Sequence, residues 1–402
     1  MSNPIKESRE KLFHITKRSS QNKWLSYAVH VGAFFFAILI CAIVSTIITK
    51  KSMGKFFSYL FEGAFGTERK VWDLFHNTAF LLLIALAITP AFKMKFWNIG
   101  AEGQVLIGAL ACAAVIHYLG DSLSEGALIP IMLVASMAGG AVWAVIPALF
   151  KAKWNTNETL FTLMMNYIAT CFTAYCISMW TMGKGSGTLD FKVGFLPDIV
   201  NQFLLKIIVA VVIMVLMFIY LRYSKHGYEI SVVGESERTA KYIGINVKKV
   251  IIRTMILCGI LCGVAGFLLV AGTNHSIHPS DTVEGRGFTA ILVSWLAKFN
   301  PLTMGLTALL VVFIQRGTGH FAMKESLGSA PYSNVMTGIF FLSIIAAEFF
   351  INYRIVFRSS KKKAVNAAPE TNVTQGAEEK TEQVIMKVEA EEGDPGALPK
   401  EE

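Results

Sequence analysis

Three polar side chains lie close together in a segment flanked by apolar sequence, Phe96 to Gln104, FWNIGAEGQ. They are Asn98, Glu102 and Gln104. Two amides and a carboxylate can donate and accept hydrogen bonds to a polar solute. At membrane depth such groups are costly and usually face a bundle interior or a water-filled path. The segment is therefore predicted to be a broken helix beside a translocation path, and a short cytoplasmic turn is the alternative.

A second polar set has helical spacing further along the chain. Its members fall at i, i+3, i+7, i+11 and i+14, which is one face of a helix: Thr159, Thr162, Asn166, Thr170 and Thr173. These side chains could simply join neighbouring helices through hydrogen bonds. They could also line a path for a neutral solute. Because an amide donates and accepts together, Asn166 is predicted to touch the solute, with Thr162 and Thr170 beside it.

A third segment carries the signals of a short helix in a basic loop. Ser236 can cap the helix, Glu237 lies in its first turn, Lys241 in its last turn, and Gly244 can end it. A helix of about two turns is marginal alone and needs a surface on which to dock. An amphipathic connector lying on the lipid surface is the alternative.

The composition identifies the elements that must position these residues. The chain has 402 residues, of which 53% are hydrophobic and only 16% charged, and its mean hydropathy is positive. This is the composition of a membrane protein. Apolar runs long enough, or nearly so, to cross a bilayer occur at about 27–49, 74–92, 99–119, 127–150, 158–182, 203–222, 251–272, 287–298, 301–318 and 331–352. The predicted fold is all-α and polytopic, with about ten transmembrane helices.

The distribution of charge predicts the topology. Basic loops follow the fourth, sixth and tenth runs, so those ends and both termini are predicted to be cytoplasmic. The segment 50–70 conflicts with this topology, because its basic residues would then lie on the extracytoplasmic side. The domain prediction is a basic cytoplasmic segment at 1–24, a permease domain at 25–358 and a disordered cytoplasmic tail at 359–402. Residues 364–402 hold ten acids and three lysines with few aromatics.

Four motifs give the chain a resemblance to a known family. They are FWNIGAEGQ, NETLFTLMMNYIA at 157–169, GESERTAKYIGINVKKV at 234–250, and GFTAILVSWLAKFNPLTMGLTALLV from Gly287. In order and spacing they resemble the permease subunits of bacterial ABC importers for branched-chain amino acids, simple sugars and nucleosides. The nucleoside branch is the best match, and the likeness runs from roughly Trp72 to Tyr353.

The resemblance implies a function and a set of partners. The third segment corresponds to the part of such a permease that presses on its ATPase, through Glu237, Ala240, Lys241 and Gly244. The partners would be an ABC ATPase subunit, a second related permease subunit and a solute-binding lipoprotein, in a bacterial cytoplasmic membrane. The chain has no GxxxxGK[ST] loop, so ATP would be hydrolysed by the partner. We expect no cofactor or metal on this chain and no nucleic-acid partner.

Other functions remain open from the sequence. The solute could be a simple sugar or a branched-chain amino acid instead of a nucleoside, because all of them need neutral polar groups in the path. An ion-coupled secondary transporter also uses broken helices, but acidic residues are scarce within the apolar runs. A membrane enzyme is disfavoured, because no cluster of His, Asp or Glu recurs with catalytic spacing.

Overall fold

The structure is a computed structural model that describes residues 13–17, 23–183, 187–197 and 201–357. The predicted tail, 359–402, lies outside these ranges, as does most of the predicted N-terminal segment. The chain divides into two compact units. The smaller one contains strands β1 (Phe13–Lys17) and β4 (Tyr353–Phe357), which pair antiparallel.

The larger unit is helical. Its helices are α1 (Lys23–Thr49), α2 (Met53–Phe65), α3 (Glu68–Lys93), α4 (Ala101–Leu119), α5 (Glu125–Trp154), α6 (Glu158–Trp180), α7 (Leu204–Tyr223), α8 (Lys225–Glu235), α9 (Glu237–Tyr242), α10 (Val247–Leu269), α11 (Arg286–Leu296), α12 (Pro301–Lys324) and α13 (Ser329–Asn352). A π-helical turn, Val270–Asn274, extends α10. The two-residue strands β2 (Leu189–Asp190) and β3 (Ser276–Ile277) pair antiparallel.

Each of the ten predicted apolar runs coincides with one of these helices. Within the described ranges, seven helices are long and apolar enough to span a bilayer: α3, α4, α5, α6, α7, α10 with its π-helical turn, and α12. Helices α1 and α2 pass the same test only as a pair bent by 114°. The all-α membrane architecture is confirmed. The number ten and the cytoplasmic side of both termini stay predictions.

Side-chain caps explain where several of the long helices begin. Thr67, Asn157 and Asn246 each accept a hydrogen bond from the backbone N–H three residues later, at the start of α3, α6 and α10. Such a cap satisfies one of the backbone donors that a helix leaves unpaired at its first turn. At α12, Asn300 caps the helix and Pro301 occupies its first position, where proline loses no helical hydrogen bond.

Small residues let α4, α5 and α10 approach closely in the core. A Cβ atom added to Gly259 would lie 2.4 Å from the carbonyl oxygen of Gly140, and one added to Gly263 would lie 2.2 Å from that of Ser136. Gly259 and Gly263 therefore allow tight packing of α10 against α5.

Helix α2 was not predicted. It lies in the basic segment 50–70 and packs on α12, where the rings of Phe56 and Phe321 are 5.3 Å apart. Gly63 allows this approach, since an added Cβ would lie 2.7 Å from Cβ of His320. One basic residue of the segment, Lys55, lies in this packed helix and the others lie outside it, whereas the prediction treated all of them as part of a loop.

Candidate translocation site

The backbone between α3 and α4 leaves the helical conformation. Lys95 adopts a left-handed conformation with φ of 60°, and the N–H of Phe96 donates to the carbonyl oxygen of Ala91 at 2.9 Å. Residues 95–100 are non-helical, and α4 begins at Ala101. The predicted interruption is present. We call residues 95–100 the break.

Two buried amides brace the break from inside. Asn98 has no exposed surface and Gln104 is 1% exposed. The Gln104 Nε2 donates to Asn98 Oδ1 at 3.2 Å, and the same Oδ1 accepts from the N–H of Gly100 at 3.0 Å. These bonds hold the break against the first turn of α4. In this conformation the two side-chain amides therefore bond to each other, and that of Asn98 also bonds to the backbone.

Helix α6 supplies the partners that the irregular backbone lacks. Asn166 Nδ2 donates to the carbonyl oxygen of Ile99 at 2.9 Å, and its Oδ1 accepts from the N–H of Gly103 at 2.9 Å. Thr162 Oγ1 accepts from the N–H of Ile99 at 3.1 Å. Backbone groups that are buried outside regular structure need such partners, because an unpaired one costs free energy.

The polar stripe of α6 faces the protein. Thr162, Asn166 and Thr173 are buried, whereas Thr159 and Thr170 are half-buried. Thr170 donates to the carbonyl oxygen of Asn166 at 3.1 Å. The structure therefore gives Thr162 and Asn166 a definite packing role. Contact of the stripe with solute stays a prediction.

Glu102 connects α4 to the start of α11. Its two carboxylate oxygens accept hydrogen bonds from the N–H groups of Gly285 at 2.8 Å and Gly287 at 2.7 Å. Neither donor belongs to the break. The donors come from a helix N-terminus 183 residues further along the chain, where unpaired N–H groups and the helix dipole both favour a carboxylate.

The local geometry around Arg286 makes this contact possible. Glu284 and Gly285 both have left-handed backbone conformations, with φ of 56° and 73°, and they turn the amides toward α4. A Cβ atom at Gly287 would lie 2.6 Å from the Glu102 carboxylate. The two glycines on either side of Arg286 thus shape this contact and were not predicted, although a glycine pair at the start of a short apolar run was the available signal.

The third segment contains the predicted short helix, α9, and its coupling role stays a prediction. Ser236 Oγ accepts from the N–H of Thr239 at 3.2 Å, as an N-cap does. Ala240 is fully buried, whereas Glu237 and Lys241 are exposed. Gly244 follows the helix with φ of 84°, the left-handed conformation that glycine adopts most readily. The helix ends two residues before Gly244.

Helix α8, which was not predicted, places α9 below the break. A Cβ atom at Gly234 of α8 would lie 2.1 Å from the carbonyl oxygen of Lys93. The backbone of α8 therefore presses directly on the last residue of α3, and the break begins two residues later.

Comparison with known proteins identifies the family of this chain. A family model described as a branched-chain amino acid transport system permease component matches residues 72–345, more than half of the chain. The chain belongs to this family. It is a permease and a transport component.

Named relatives of this permease transport different solutes. The guanosine ABC transporter permease protein NupP of Bacillus subtilis is 29% identical over 325 residues, which cover 78% of this chain and 91% of the relative. The glucose ABC transporter permease protein TsgB13 of Haloferax volcanii is 28% identical, covering 68% and 76%. The nucleoside ABC transporter permease protein NupB of Lactococcus lactis is 26% identical, covering 78% and 87%. No solved structure matches the chain.

Proposed function

We propose that this chain is the membrane permease subunit of an ATP-driven importer of nucleosides. Two of the three relatives described above are named for guanosine or nucleoside transport, and the sequence resembles the nucleoside branch of the family. Simple sugars are the second candidate, because the glucose permease is nearly as similar. Branched-chain amino acids are the third. An ion-coupled secondary transporter is the alternative mechanism.

The observation that carries the proposal is the exposed surface of α9. Tyr242 is 92% exposed and Ile243 is 50% exposed at the tip of a basic loop. Large apolar side chains exposed together mark an interaction surface, and tyrosine is a frequent anchor in protein interfaces. The surface is carried by a helix of only 6 residues, which gains stability from a partner. The partner that fits is the ATPase subunit.

The proposed mechanism passes from α9 to the break. ATP hydrolysis in the ATPase moves α8 and α9, and Gly234 transmits the movement to Lys93 at the end of α3. The break is the natural point of bending, because its backbone is held by side chains and not by a helical ladder. Rearrangement there would alternate access to the path, whose proposed polar residues are Asn98, Glu102, Gln104, Thr162, Asn166 and Thr170. The chain itself binds no cofactor in this scheme.

The proposed assembly contains further subunits. A second related permease would complete the path, and an extracytoplasmic lipoprotein would deliver the solute. The assembly would lie in the cytoplasmic membrane of a bacterium, with α9 on the cytoplasmic side.

Copurification tests the proposed docking surface. The chain is coexpressed with the ATPase and permease encoded beside it, with Tyr242→Ala as the variant and Tyr118→Ala as the control. Tyr118 is also exposed, at 68%, but lies at the opposite end of the bundle, near the end of α4. Loss of an interface anchor costs about 2 kcal/mol, or roughly a thirtyfold loss of affinity. We expect Tyr242→Ala alone to lose the ATPase, and equal retention by both variants would contradict the assignment.

A further inference from the structure

A row of charged and polar side chains runs down the seam between α3, α12 and the start of α11. Arg316 Nε lies 3.3 Å from Asp73 Oδ2. Asn77 Nδ2 donates to Asp73 Oδ1 at 3.0 Å, and Asn77 Oδ1 accepts from Arg286 at 3.2 Å. Arg286 also donates to Glu284 Oε2 at 2.8 Å. We call these five residues the polar file.

Three residues of the file, Asp73, Asn77 and Arg316, lie at membrane depth. Helix α3 has 26 residues and is therefore about 39 Å long, against a hydrocarbon core of about 30 Å. With the core centred on the helix, about three residues at each end lie outside it. Asp73 and Asn77 follow Glu68, the first residue, by five and nine positions, so both lie inside the core. Arg316 lies eight residues before Lys324, the last residue of α12, and is inside it too.

Three of the five side chains are only partly covered by the protein, whereas Asn77 is buried and the Arg286 side chain is 20% exposed. The Asp73 and Arg316 side chains are 38% and 41% exposed, and the Glu284 side chain is 59% exposed. Charged groups at this depth are not tolerated against lipid tails and face protein interiors or water instead. By contrast, the exposed residues in the middle of α7, from 208 to 219, are all aliphatic, as expected of a surface in lipid: Ile208, Val211, Val212, Val215, Leu216 and Ile219.

The charges of the file cancel. Asp73 and Glu284 contribute two negative charges, and Arg286 and Arg316 contribute two positive ones. A balanced set gives no net attraction to an anion or a cation, while its many donors and acceptors can bind hydroxyl groups. The file therefore suits an uncharged, hydroxyl-rich solute.

The file also reaches the break. The amides on either side of Arg286 are the ones that Glu102 holds. One connected set of polar contacts thus leads from Asp73 near the outer end of α3, on the predicted topology, to the first turn of α4.

We propose that the seam of α3, α11 and α12 is the water-filled outer half of the translocation path, and that the polar file is where an uncharged, hydroxyl-rich solute passes through it. The identity of the solute rests on the proposed function, whereas the presence of water in the seam does not.

Thiol labelling in intact cells tests the seam. Asp73→Cys and Glu284→Cys are made in the complete transporter and treated with a membrane-impermeant methanethiosulfonate carrying a trimethylammonium group. Val212→Cys is the control, because Val212 is 50% exposed on the aliphatic face of α7. The unsubstituted chain gives the background from its six cysteines. We expect both file variants to react at least tenfold faster than the control. If the file variants react no faster than the control, the seam is covered by lipid or by the second permease, and the proposal is wrong.

A second labelling experiment tests the charge balance. Glu284→Cys leaves the file with one excess positive charge, which favours an anionic sulfonate reagent over the trimethylammonium reagent. Adding Arg316→Gln removes that excess, and we expect the ratio of the two rates to fall several-fold. An unchanged ratio would show that Arg316 does not face the path. Neither experiment requires transport, so correct labelling with no nucleoside uptake would contradict the proposed function alone.

Discussion

At the scale of single residues, the site is built from side chains that replace backbone partners. Asn166 and Thr162 pair the backbone of Ile99 and Gly103, and Glu102 pairs the first amides of α11. An amide or a carboxylate that satisfies two buried backbone groups has no equivalent substitute. The free energy that a substitution costs here therefore depends on how many backbone N–H and C=O groups it leaves without a hydrogen-bond partner.

Asn166→Leu tests the bracing role of the amide. The substitution leaves the carbonyl oxygen of Ile99 and the N–H of Gly103 without these partners, at about 1 to 3 kcal/mol for each. We expect lower thermal stability in detergent and lower uptake. Thr156→Val is the control, because Thr156 Oγ1 has no hydrogen-bond partner. Unchanged stability with lost uptake would indicate instead that Asn166 contacts the solute, and unchanged values of both would remove it from the site.

Glu102→Gln tests the link between α4 and α11. Glutamine retains one acceptor, but its NH₂ group would face the second backbone N–H, so one hydrogen bond is lost and two donors oppose each other. We expect normal expression and roughly a tenfold to hundredfold loss of uptake, as for about 1 to 3 kcal/mol. Glu125→Gln, at an exposed position in the first turn of α5, should transport normally. Wild-type uptake by Glu102→Gln would exclude the link from the mechanism.

At the scale of elements, a short series of contacts connects α9 to the break and to the start of α11. Helix α9 follows α8, α8 presses on the end of α3, the break follows α3, and Glu102 joins α4 to α11. Each contact is backbone to backbone or side chain to backbone, so the two contacting elements have little room to move independently. Interfaces of this kind transmit small displacements, because packed elements are not continuously deformable.

Gly234→Val tests this series at its tightest point. The added side chain would meet the carbonyl oxygen of Lys93, so α8 must move away from α3. We expect the complex to assemble and to retain basal ATP hydrolysis, but to lose its stimulation by the solute and its lipoprotein. Gly338→Val on α13 is the matched control, since no atom lies within 4 Å of an added Cβ there. Normal stimulation in Gly234→Val would contradict the proposed route.

At the scale of the whole molecule, the sequence predicts the local features and misses the distant ones. The apolar runs, the Ser236 cap and the interruption at Phe96 to Gly100 depend on neighbouring residues, and each is present in the structure. Helix α2 was missed because the basic residues in and around it obscured an amphipathic helix that packs on α12. The partners of Glu102 were missed because Gly285 and Gly287 come near it only when α11 packs against α4.

The most direct test of the account is transport by the purified assembly. The permease, its second permease, the ATPase and the lipoprotein are reconstituted in liposomes with ATP on the side of the ATPase, and accumulation of labelled nucleosides, ribose, glucose and leucine is measured with and without ATP and an imposed ion gradient. We predict ATP-dependent accumulation of nucleosides that needs no gradient. Accumulation that follows the ion gradient without ATP, or that occurs only for the sugars or leucine, would contradict it.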